Sequence, residues 1–191
     1  TFYNSSVFNS TVTLSGGTFN AGGNATITTL AQSGGTLQGT GTVTLTGNAS
    51  SWSAGTMAGL GTTLIAANAA LTISNNVELT PGRTLTNNGL LVQTGGTIDV
   101  GDTAATAIVN NGLWTIQNNP AIGQWTGGTG GMTITNAGTI QRTSGTGTVN
   151  LGDGGGGYVA LVNSGLLDVQ TGSLYVNGAV GSGGTTNTGT I

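Results

Sequence analysis

A five-residue pattern, Asn-x-Gly-(Leu/Thr)-(Leu/Ile/Trp), constrains the fold of this chain more than any other feature of it. It starts at Asn87, Asn110, Asn136, Asn163 and Asn187, at intervals of 23, 26, 27 and 24 residues. Nine residues after the first Asn a glycine recurs, at Gly96, Gly145 and Gly172, and an apolar-alternating tetrapeptide follows each: TIDV, TVNL and SLYV. In the second copy Asn119 stands in the glycine's place and Pro120 follows, so that rung is expected to be irregular. The first half repeats a related unit more tightly. Ser15-Gly16-Gly17-Thr18-Phe19, Ser33-Gly34-Gly35-Thr36-Leu37 and Ser53-Ala54-Gly55-Thr56-Met57 lie 18 and 20 residues apart.

Blocks such as Thr42-Val43-Thr44-Leu45 and Met132-Thr133-Ile134-Thr135 alternate apolar and polar at period two, between Gly, Asn and Ser. No window carries helical periodicity without a glycine interrupting it. The motif recurs at the length of a full coil rather than of a hairpin, which disfavours an antiparallel sandwich. The chain is therefore read as all-β, a parallel β-solenoid in its right-handed β-helix form. At about 22 residues per coil it would hold about eight or nine coils. Residues 1–10 are read as an N-terminal strand and assembly segment, and residues 11–191 as the solenoid. The repeating Asn is placed at a turn, where it tolerates left-handed backbone and its amide can bond the Asn of the next coil.

Gly, Thr, Asn and Ser fill 107 of the 191 positions, and charged residues are only 4 %. Hydrophobic residues are still 36 % and the net charge is −3, so the chain has material for a core and little self-repulsion. There is no Cys, His or Lys. That removes disulfides, zinc cages, imidazole-activated nucleophiles and Schiff-base chemistry. The only cations are Arg83 and Arg142, too few to neutralise a nucleic-acid backbone. No apolar run approaches a membrane span. No cofactor and no metal site are expected.

The candidate sites are correspondingly weak. Asp99 and Asp102 are the nearest carboxylate pair, without any cationic or imidazole helper for glycan cleavage. Asp153, in a Gly-rich run, lacks the further Asp residues of a calcium repeat. Trp114 falls at a core position, whereas Trp52 and Trp125 lie in loop-like stretches, read chiefly as packing over the coil and secondarily as glycan contacts. The pairs Thr11/Thr13, Thr26/Thr28, Thr42/Thr44, Thr84/Thr86 and Thr133/Thr135 suggest an ice-ordering face. Their spacings of 15, 16, 42 and 49 residues match no single repeat, so a rank in register is not expected. Asn4, Asn9, Asn24 and Asn48 are glycosylation acceptors by motif.

The stretches TNNGLLVQTGGTIDV, TNAGTIQRTSGTGTVNL and VNSGLLDVQTGSLYV resemble the repeats of large secreted bacterial surface proteins, the haemagglutinin-like and autotransporter-type adhesins. The resemblance covers most of residues 84–191 and, more loosely, 11–83. It implies a right-handed β-helical passenger at the cell surface. The chain carries no secretion-domain or barrel signature, and the closing NTGTI reads as the start of another coil. The expected function is that of a non-enzymatic extracellular structural protein, either a subunit of a self-assembling filament or a stalk segment of an adhesin. The alternatives are a carbohydrate-binding or carbohydrate-cleaving β-helix and, third, an ice-binding protein. The expected partners are copies of the chain stacked head to tail, adjoining coils of a longer chain, and surface glycans. Phe2, Tyr3, Val7, Phe8 and Ile191 would carry the assembly contact.

Overall fold

A computed structural model gives the fold and describes residues 1–80, 82–100, 106–124, 131–151, 158–176 and 186–190. Among these residues 21 strands form and no helix does. Each pairs in parallel with the strand one coil before or after it, so the chain is a parallel β-solenoid. Strands stack on three faces. The first face holds Thr42–Leu45, Thr62–Ile65, Thr84–Asn87, Thr106–Asn110, Gly131–Asn136 and Tyr158–Asn163. The second holds Ala70–Ile73, Leu90–Gln93, Leu113–Ile116, Thr139–Arg142 and Leu166–Val169. The third holds Val77–Leu79, Thr97–Val100, Ala121–Gln124, Thr148–Leu151 and Ser173–Val176. Near the N-terminus Ser6–Leu14, Ala25–Gln38 and Ser50–Met57 run around corners onto neighbouring faces.

The solenoid makes about seven turns, slightly fewer than the eight or nine expected. Dividing chain length by one average period counts the outermost coils as complete. They lend strands to a stack without each adding a full turn.

The core is a single column of inward side chains, because alternation along each strand sends every second residue inside. Leu85, Leu91 and Ile98 are fully buried within one coil, as are Ile108, Trp114 and Ile122 in the next. Two kinds of glycine close the corners. Gly17, Gly35, Gly55, Gly96, Gly145 and Gly172 adopt φ between 62° and 92°, a conformation that favours residues without a Cβ. In the irregular rung Asn118 takes that conformation at φ 61°, one residue before the position the motif spacing selects. The glycines of Asn-x-Gly serve close approach instead. A Cβ on Gly138 would collide with the carbonyl oxygen of Gly112, and one on Gly165 with that of Gly138.

Candidate functional site: the asparagine column, the outer faces and the coil ends

The repeating asparagines end their strands with the side chain turned inward. Asn87, Asn110, Asn136 and Asn163 are at most 1 % exposed and lie in register. Nδ2 of Asn87 donates to Oδ1 of Asn110 at 2.7 Å and to the Leu113 carbonyl at 3.0 Å. Asn110 repeats this toward Asn136 at 2.7 Å and Thr139 at 3.0 Å, and Asn136 toward Asn163 at 2.6 Å and Leu166 at 3.1 Å. The column thus has a direction, each amide donating toward the C-terminal coil. Left-handed backbone plays no part at these four positions. Asn187 continues the register opposite Asn163. In the other direction the same column becomes apolar: Ile65, Leu45, Ile27 and Phe8.

Both arginines are fully buried. Arg83 donates to Thr63 Oγ1 at 3.0 Å and to the carbonyls of Ala58 and Thr62 at 3.1 Å each, all neutral oxygens one coil earlier. Desolvation lowers its pKa to about 10, so it stays charged at neutral pH. Arg142 reaches Asn119 Oδ1 at 2.9 Å on the coil before, Gly147 O at 2.9 Å on its own coil and the Ser173 carbonyl on the coil after. Each cation clips coils together at a corner.

The outer surface differs from expectation in one respect. Thr42/Thr44, Thr84/Thr86 and Thr133/Thr135 do fall into register, as two columns on the first face. The coils between them carry Thr62/Leu64 and Ala107/Val109 in the same columns, and Ala160/Val162 follows. Intervals of 42 and 49 residues are each two coils of unequal length, which hid the register. No charged residue occupies these columns. Thr11/Thr13 lies elsewhere, opposite Thr29 and Ala31.

The carboxylates are also rearranged. Asp99 has Glu78 as its register neighbour one coil away, and Thr56 Oγ1 donates to Glu78 Oε2 at 2.8 Å. Asp102 and Asp153, like Trp125 and Ile191, lie outside the described residues. Asp168 accepts from Gln141 and Gln170 at 2.9 Å each. Among the described residues no group of three or more metal-ligating side chains comes together. Trp52 is not a surface aromatic: it is fully buried like Trp114, with Nε1 donating to Gly55 O at 3.2 Å.

At the N-terminal end Phe2, Phe8 and Phe19 form a tilted ring cluster with centroids 5.2 to 6.0 Å apart, packed on the core. Tyr3 and Val7 point outward and are exposed. Ser6–Leu14 pairs with Ala25–Gln38 on one side. On the C-terminal coils Val162, Leu166, Val169 and Tyr175 are exposed apolar side chains. Asn4, Asn9, Asn24 and Asn48 are all exposed, although Asn24 Oδ1 accepts a hydrogen bond from Thr42 N at 3.0 Å. Comparison with protein-family models, curated proteins and solved structures gives no match.

Proposed function

We propose that this chain is a non-enzymatic extracellular structural protein, a stalk segment of a large surface adhesin. The observation that carries the reading is the inner column. A solenoid whose strands pair only along its axis is a rod that lengthens by adding coils. The asparagine column makes that addition directional, because each amide needs an acceptor one coil further on. Identical copies stacked head to tail would set the Phe8 end of the column against its asparagine end. A buried amide facing a phenyl ring is left unbonded, which costs about 1–3 kcal/mol. Adjoining coils that continue the Asn-x-Gly pattern avoid that mismatch, so the column favours the stalk over a filament of identical subunits.

The test is sedimentation velocity and electron microscopy of the chain with and without residues 1–10. The stalk reading expects short monomeric rods at high concentration in both cases. Fibres formed by the full chain and lost on the deletion would overturn it in favour of the filament.

A second reading rests on the two outer columns of Thr, Ala and Val. A charge-free array of methyl and hydroxyl groups repeated at about the 4.8 Å spacing of stacked strands is a surface that orders water, and hence one that binds ice. An assay of ice recrystallisation decides it. The reading expects inhibition that Thr84→Tyr abolishes, and a wild-type chain without effect sinks it.

A further inference from the structure

We propose that an outer corner near the N-terminal end is a binding site for a neutral oligosaccharide. A cleft of about 450 Å³ lies there, with Tyr3, Asn20, Gln38, Thr40 and Leu60 in its lining. That volume falls in the range of about 300–1,000 Å³ usual for small-molecule sites. The site crosses several coils, because the bridge between Phe2 and Ala21 and the pairing of Asn20 with Gln38 stack its walls along the axis.

Three features select the ligand. Tyr3 is 81 % exposed, and an atom added at the Cα of Gly22 would meet its ring at 3.1 Å. The ring therefore rests on a bare glycine and presents itself to solvent as an aromatic platform. Next, the amides of Asn20 and Gln38 are half-buried yet hold no hydrogen bond to any described residue. Elsewhere the fold uses its amides: Gln93 donates to Ala121 O at 3.2 Å, and the asparagine column bonds from coil to coil. An unused planar amide offers donors and an acceptor in one plane, and two of them one coil apart match the hydroxyl pairs of successive sugar rings. Finally, no charged side chain lines the cleft, and Leu60, exposed at its edge, adds an apolar wall. An aromatic platform, paired amides and the Thr40 hydroxyl, without ionic groups, suit an uncharged sugar whose CH face stacks while its hydroxyls bond.

The proposal does not rest on the stalk reading. A monomeric rod can bind sugar, and a filament can fail to. The experiment is an NMR titration of the full chain with cellotriose, chitotriose and maltotriose, with a trigalacturonate as the charged comparator. At least one neutral trisaccharide is expected to shift both the Tyr3 ring and the Gln38 side-chain amide. Tyr3→Ala and Gln38→Ala should each weaken that binding about tenfold, and Tyr3→Phe should retain it. Both positions are on the surface, and an unchanged circular dichroism spectrum establishes that the variants fold. Three results overturn the site: no shift with any neutral sugar, undiminished binding by Tyr3→Ala, or tighter binding of the uronate than of every neutral trimer.

Discussion

A carboxamide inside an apolar core is costly unless both its ends are bonded, and Asn110 shows how the coils meet that condition. Its Oδ1 accepts from Asn87, its Nδ2 donates to Asn136 and to the Thr139 carbonyl, and nothing of it is exposed. Asn110→Leu keeps the volume but strands the Nδ2 of Asn87 on one side and the Oδ1 of Asn136 on the other. The expected loss is about 2–4 kcal/mol, read as a lower midpoint in urea unfolding. A loss under half the lower figure would mean that water repairs the gap. Arg83 sets a different condition, on pH. Its folded pKa of about 10 lies below the unfolded 12.5, so the unfolded chain holds this proton more tightly. Stability from this group is therefore flat below about pH 10 and rises from there toward 12.5. With no His, Cys or Lys in the chain, the thermal midpoint is expected to stay constant between about pH 6 and 9. Calorimetry across that range checks it, and a shift of several degrees would show a titrating group that this account lacks.

At the level of the coil, the corners rather than the strands decide what lies beside what. Asn-x-Gly brings one corner of each coil onto the same corner of the last, and Gly112, Gly138 and Gly165 pack backbone on backbone there. Gly138→Ala would push a Cβ into the Gly112 carbonyl, which belongs to the ladder and cannot swing aside. A cost of about 2–4 kcal/mol is expected, with hydrogen exchange faster on both flanking coils. A neutral outcome would mean that the stack is looser than its geometry implies. This dependence on corners also explains which features the sequence reveals and which it hides. The coil period was legible because Asn and Gly recur at corners, and the inward strand positions followed from alternation. Trp114 could be placed in the core by its match to Leu91 and Ile140. The side-by-side placement of Glu78 and Asp99, 21 residues apart, was not legible, nor was the rank of Thr44, Thr86 and Thr135. Both depend on coil length, which changes along the chain as corner loops grow. Trp52 was misjudged because Ser-Ser-Trp-Ser reads as loop, whereas the strand Ser50–Met57 carries it into the core.

For the whole molecule, the decisive fact is where the charge lies. Trypsin cuts after Lys or Arg, the chain has no Lys, and both arginines are fully buried and tied across coils. A protease needs several residues of backbone drawn out into its cleft, so cutting at either arginine requires strands paired on both sides to open. Thr84–Asn87, directly after Arg83, is held by Thr62–Ile65 and Thr106–Asn110; Thr139–Arg142 is held by Leu113–Ile116 and Leu166–Val169. Opening either corner also exposes a cation without its oxygen partners and breaks core contacts on three coils. The folded chain is therefore expected to survive trypsin at concentrations that cut the urea-unfolded chain into residues 1–83, 84–142 and 143–191. Mass spectrometry of the digest reads the outcome. Because cleavage through local opening tracks the stability of the opened segment, the rate at each arginine also ranks the coils. Cutting at Arg142 before Arg83 would locate the weaker half of the rod in its longer C-terminal coils. Rapid cutting at both in the native state would show that the arginines do not clip the coils, and the account of their buried charge would fall with it.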